Sequence, residues 1–179
     1  MKESAPRAIL YRLDAEGRAT VGDSGFIVCN GPAFSPTGDI LYFSDSAGRR
    51  LLAYDLDRAT GALSESHVLV QFSEADGMPD GLCVDSAGAI SCAHYGGGRV
   101  TRFSPAGEIL EVLPLPVRNI TSCCLGGTAL DTLYVTTAED GGTNPLDGAL
   151  FARKVAVTGL PEPLFRSRLP RTEPQGKSL

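Results

Sequence analysis

The sequence predicts an all-β chain, and within that class a β-propeller, on three observations. Turn formers are abundant, with 21 glycines and 12 prolines in 179 residues, which suits short strands joined by tight turns better than long helices. A two-strand pattern recurs, with copies starting near residues 30, 80 and 121. A second two-strand pattern is interleaved with the first. Together they make a unit of four short strands that returns every 41 to 50 residues, the period and strand count of a propeller blade.

Taken in chain order, "AILYRLDAEGRATV" from Ala8 reads as strand, turn, strand, with an acid and then a glycine at the turn. "NGPAFSPTGDILYFSDS" from Asn30 is an apolar strand, a turn closed by Gly38 and a second strand. "LLAYDLDRATGALSE" from Leu51 returns to the first kind of hairpin. "DGLCVDSAGAISCAHYG" from Asp80 then superposes on the Asn30 segment, with Gly81 on Gly31, Val84 on Phe34, Gly88 on Gly38 and Ile90 on Ile40. "GRVTRFSPAGEILEV" from Gly98 and "GALFARKVAVTGLPE" from Gly148 are further copies of the Ala8 pattern. Between them "TSCCLGGTALDTLYVTTAED" is a weaker copy of the Asn30 pattern, "TLYVTTA" matching "ILYFSDS".

One four-stranded sheet cannot cover both of its faces, and radial stacking buries them against neighbouring blades while leaving only short edges. A β-sandwich or barrel is the alternative, but it leaves the repeats without an explanation. No WD or kelch signature is present. About four blades' worth of sequence is present, and the first copy supplies only an outer hairpin, as if the chain entered a propeller partway. Residues 1–165 are expected to form one partial propeller. Residues 166–179, "RSRLPRTEPQGKSL", are expected to form a polar, disordered tail whose Arg166, Arg168, Arg171 and Lys177 are solvated.

A net charge of −5 argues against nucleic acid as a partner, which calls for a clustered basic surface. No apolar run approaches the roughly 18 residues of a membrane span, and the polar start "MKESAPR" lacks a signal-peptide pattern. The cysteines are Cys29, Cys83, Cys92, Cys123 and Cys124. Their odd number, and the absence of any C-x-x-C pair, give no support to a zinc-ribbon or thioredoxin-like site. They point to a reduced, cytoplasmic protein.

The blocks "NGPAFSPTGDILYFSDS", "PDGLCVDSAG", "GGGRVTRFSPAGEIL", "LPVRNITSCCLGG" and "LDTLYVTTAEDG" together resemble the senescence-marker-protein/gluconolactonase/luciferin-regenerating-enzyme-like family, which includes regucalcin and sugar-lactone lactonases. The resemblance runs from about Ala8 to Phe165. It implies a six-bladed propeller holding one divalent ion, calcium or zinc, with manganese or magnesium as further options, and a small sugar lactone as the partner. By motif, Asn30 in "CNGPAFSP" and Asp80 in "MPDGLCVD" carry over as metal ligands, and Asp80 as the base. Both open an inner hairpin of the internal repeat.

Read without the family, Pro79-Asp80-Gly81 is a common turn composition, and Asn30 before Gly31 reads as a hairpin turn. His94, Tyr95 and Ser122 are weaker substrate-binding candidates: the first two end a strand before "GGG", and Ser122 sits near the start of the third copy. Asp45 and Asp55 are expected at solvated outer or turn positions. "GxSxG" is absent, and Gly96–Gly98 is no phosphate cradle, since no helix is expected after it.

The family's "GEGP"-like glutamate motif, and the Arg and Asn-Asp segment that meets sugar and metal, are not found in these residues. The family chain is about two blades longer at its N-terminus. The leading expectation is a metal-dependent hydrolase opening sugar lactones to aldonic acids, in a truncated or degenerate form. The alternatives are a non-catalytic metal-binding or protein-interaction propeller piece, and a lactonase of the phosphotriesterase-like kind that accepts bulkier esters.

Overall fold

Alternating apolar residues and glycine-closed turns fold into thirteen β-strands among the residues that the computed structural model describes, which are 5–139, 141, 142 and 144–165. The expected tail from Arg166 lies outside the described residues. Strands β1 (Ala8–Leu13) and β2 (Ala19–Phe26) pair as a two-stranded sheet. A four-stranded meander follows, of β3 (Cys29–Phe34), β4 (Ile40–Asp45), β5 (Arg50–Asp55) and β6 (His67–Gln71). A second is built from β7 (Met78–Val84), β8 (Ile90–Tyr95), β9 (Arg99–Phe103) and β10 (Ile109–Pro114). A three-stranded sheet closes the series with β11 (Ile120–Gly126), β12 (Thr132–Thr137) and β13 (Leu150–Lys154).

The all-β class expected from the sequence is therefore observed. A single 3-10 turn, Glu74–Asp76, is the one helical segment among the described residues. Among the described residues no helix is long and apolar enough to cross a membrane.

Burial follows the period of two along each strand. In β4, Leu41 and Phe43 pack with Phe26, Leu52 and Tyr54 against the β1–β2 sheet, while Tyr42 packs with Leu51, Leu82, Ile90, Cys92 and Phe103 against the next sheet. In β8, Cys92 faces back to that same core, and Ala93 faces forward to Val117, Ile120, Leu133 and Val135. The middle strands are thus buried on both faces, which is why they read as near-continuous apolar runs. The fourth strands β6 and β10 keep one or both faces in water: Val68, Ile109, Leu110 and Val112 are exposed. The four sheets stack face to face in chain order, and each supplies the cover that its neighbour lacks.

The repeat turns are chemically alike. Gly38 and Gly88 take positive φ values of 71° and 86°, and their N–H groups donate to the Ser35 and Asp85 carbonyls, each at 2.9 Å. A side chain at that φ would be strained, so glycine closes both hairpins.

Three expectations are corrected. The second strand after Leu51 forms later than "GALSE", at His67–Gln71. After β13 the described residues, up to 165, form no strand that folds back on it. Instead the Gly159 N–H donates to the Leu130 carbonyl at 2.7 Å and the Ser86 N–H to the Thr158 carbonyl at 2.8 Å, tying this segment to the preceding sheets. Asp45 is not solvated: it is buried, ion-paired with Arg50 and accepts the Gly48 N–H at 2.9 Å. Asp55 is exposed, as expected.

Candidate functional site

The first strands of successive sheets, β3, β7 and β11, lie side by side, and each carries an irregularity near its start. In β3, Gly31 and Pro32 fall between the pairs Asn30–Ser44 and Ala33–Tyr42. In β7, Asp80 and Gly81 fall between the pairs Pro79–His94 and Leu82–Cys92. Pro-Asp-Gly is therefore not a turn but a bulge inside a strand, a device that re-aims a side chain. The two residues equivalent by sequence differ by one step in the ladder. Asn30 is the last paired residue before its bulge, whereas Asp80 lies within its own.

The two positions are linked through Ser44. This residue pairs with Asn30 across β3 and β4, and its Oγ donates to the Asp80 backbone carbonyl at 2.8 Å. Asn30 Nδ2 donates to Ser46 Oγ at 3.0 Å, which leaves its carbonyl oxygen available as an acceptor. Ser122 lies against β7: a Cβ placed on Gly81 would stand 2.2 Å from Ser122 Oγ and 2.7 Å from its Cα. Gly81 thus serves close approach of β7 and β11, a role that the turn reading of the tripeptide did not contain. Asn30, Asp80 and Ser122 are brought to neighbouring strands.

The Asp80 carboxyl is half-buried. Burial pushes its pKa up to about 6, opposed by the neighbouring Gly81 N–H. No cation or side-chain donor bonds to it among the described residues. Other enclosed carboxylates are answered: Asp45 by Arg50, Asp76 by Arg99, and Asp85 by Arg102 with an Nε–Oδ2 distance of 2.8 Å. Asp80 is a half-buried carboxylate without a counter-charge among the described residues.

His94 is packed as a core residue, 1% exposed, with its ring edge-on to Phe72 at 5.2 Å. Its Nδ1 lies 2.8 Å from the Asp76 carbonyl oxygen, which only accepts, so Nδ1 carries the proton. Nε2 is buried without a partner among the described residues. Burial lowers the pKa of this ring. Tyr95 is half-buried and pairs with Met78 at the end of β8. Neither is joined to Asn30 or Asp80 by a hydrogen bond.

A carboxylate without a counter-charge and a free amide oxygen are hard oxygen donors, and such a pair fits calcium or another oxygen-preferring ion that keeps part of its water shell. Among the described residues no three His, Cys, Asp or Glu side chains gather as a cation site. Sequence reasoning missed Ser44 and Ser46. The signal was present as two serines spaced by two in "FSDS", at the end of an otherwise apolar strand.

Residues 1–139 match the family described as SMP-30/Gluconolactonase/LRE-like region. The chain is 39% identical over 168 residues to pentonolactonase XacC of Haloferax volcanii, covering 88% of this chain and 57% of that protein. It is 42% identical over 163 residues to a 6-deoxy-6-sulfogluconolactonase of Pseudomonas putida, covering 87% and 56%. Among solved structures, a calcium-binding protein, regucalcin, from Agrobacterium tumefaciens superposes with a TM-score of 0.86 at 27% identity, over 92% of this chain and 58% of that one. The chain spans a little over half the length of these relatives.

Proposed function

The chain belongs to the SMP-30/gluconolactonase/LRE-like family, and from that premise we propose that it takes part in opening sugar lactones, with a divalent cation held by Asn30 and Asp80. The relatives named pentonolactonase and 6-deoxy-6-sulfogluconolactonase support an aldonolactone as the substrate class. The calcium-binding structural neighbour supports the cation. The four stacked sheets are taken as blades of one propeller, and the free thiols as those of a cytoplasmic protein. The observation that carries the reading is Asp80, a half-buried carboxylate with no counter-charge among the described residues.

A cation bound there would polarise the lactone carbonyl and offset the negative charge that develops on its oxygen. Asp80 takes a proton from the attacking water, whose oxygen bonds to the carbonyl carbon. It returns that proton to the ring oxygen as the ring C–O bond breaks, so the carboxylate is regenerated. Asn30, held by Ser46, contributes a neutral oxygen that orients without titrating.

The test is acid release from pentono- and gluconolactones by the full chain with added calcium, zinc or manganese. Turnover above the spontaneous rate, abolished by Asp80→Ala, is expected. Turnover undiminished in Asp80→Ala would refute the assignment. That no group of three or more His, Cys, Asp or Glu gathers among the described residues favours, as a second reading, a metal-binding scaffold without turnover. Saturable calcium binding with no lactone opening would select it.

A further inference from the structure

We propose that Ser44 is a positioning residue for this site, setting the Asp80 peptide in place relative to Asn30; the inference rests on the metal-site reading above. The period of two puts Ser44 on the same face of β4 as Tyr42, which packs in the core shared with Leu82 of β7. On that face Ser44 is 0% exposed, and a hydroxyl so enclosed destabilises the fold unless it is hydrogen-bonded. Its bond leaves its own sheet and lands on the Asp80 carbonyl at 2.8 Å.

That carbonyl belongs to a bulged residue, outside the regular β7–β8 register, where a strand is least well held by its ladder. Ser44 pins from outside the peptide that carries the carboxylate. Because Ser44 is also the backbone register partner of Asn30, one residue couples the two candidate ligands, by its main chain to Asn30 and by its side chain to Asp80. The corresponding positions of the later repeats behave differently. His94 bonds the Asp76 carbonyl at 2.8 Å, and Thr136 Oγ1 meets Thr121 Oγ1, also at 2.8 Å, across the β11–β12 pair of its own sheet. The inter-sheet tie is therefore a property of this position and not of the repeat.

The experiment is calorimetric titration of chelator-treated full-length protein with calcium chloride, beside urea unfolding of the same samples. Four proteins are compared: wild type, Ser44→Ala, Ser44→Thr and Tyr54→Phe. The last removes another enclosed hydroxyl bond, Tyr54 to Asp23 at 2.8 Å, on the far side of the same sheet. Ser44→Ala is expected to raise the calcium dissociation constant about five- to tenfold, the effect of losing one enclosed hydrogen bond. Ser44→Thr, which keeps the hydroxyl, is expected to restore affinity. Tyr54→Phe is expected to lose stability with its calcium affinity unchanged.

Should Ser44→Ala not fold, Ser44→Cys, similar in size but a weak donor, takes its place. Wild-type binding with Ser44→Ala within twofold of it overturns the role of Ser44 alone, as does an equal loss of affinity in Tyr54→Phe. No saturable calcium binding by the wild type overturns the metal site itself, and the inference with it.

Discussion

Gly81→Ala tests the finding that the glycine of Pro-Asp-Gly serves strand approach and not a turn. The added Cβ would stand 2.2 Å from Ser122 Oγ, 2.6 Å from its Cβ and 2.7 Å from its Cα. Carbon atoms in contact rest about 3.5 to 4.0 Å apart, so the shortfall is on the order of 1 Å. Rotating the serine hydroxyl relieves only the first contact, because the other two involve the Cβ and the backbone. Strands β7 and β11 must therefore part, and a gap of about 1 Å forfeits up to half of each dispersion contact across it.

Overpacking ordinarily destabilises by about 1 to 3 kcal/mol, and a clash with backbone belongs at the upper end. For a chain of this size, about 3 kcal/mol lowers the melting temperature by roughly 6 to 12 °C. Thermal and urea unfolding followed by circular dichroism measure it. Ser122→Gly in the Gly81→Ala background removes the Oγ and Cβ contacts but leaves the Cα at 2.7 Å, so recovery is expected to be partial. A melting temperature within 2 °C of wild type, or full recovery in the double variant, would refute the close-approach argument.

Asp80→Asn is expected to stabilise the chelator-treated protein at pH 8. A carboxyl raised in the fold from 3.8 to about 6 binds its proton more tightly when folded, so stability is lost as pH rises through that window. Two pKa units correspond to about 3 kcal/mol, discounted for partial exposure to about 1 to 2 kcal/mol; a gain that did not shrink toward pH 4 would contradict the cause. His94 works in the opposite sense. Burial is the largest influence and lowers its pKa, the Asp76 carbonyl bond opposes it, and the Arg99 charge lowers it further, so its contribution is present above the ordinary value of 6.5 and fades as pH falls below it. The stability advantage of the wild type over His94→Gln, read from urea midpoints, should shrink as pH falls from 7.5 to 5, whatever Asp80 contributes equally to both. Leu51→Ala, at a wholly buried position between two sheets, should destabilise by about 2 to 5 kcal/mol, while Val112→Ala on the exposed fourth strand should change stability by less than about 1 kcal/mol.

Much of the fold was legible because its determinants are local. Each hairpin carries its own alternation and its own closing glycine, and Gly38 and Gly88 do at their turns what the repeat implies. The segment after Gly148 misled because its pattern resembles a hairpin, while its bonds go to Ser86 and Leu130 of other sheets. Asp45 misled for a related reason. A carboxylate near a turn looks solvated until Arg50 and the Gly48 N–H are seen to enclose it.

By itself the sequence determined the class of fold and the repeating unit, since composition and spacing reside in contiguous residues, and the resemblance of its motifs to a known family marked Asn30 and Asp80 as candidates. The tertiary structure alone decided that Pro-Asp-Gly is a bulge, that Gly81 clears space for Ser122, that His94 is core, and that Ser44 reaches Asp80. Each of these depends on which face of one sheet meets which face of the next. That choice is made by the burial of whole strands, in which residues far apart in the chain exclude water together. No short stretch of sequence carries it.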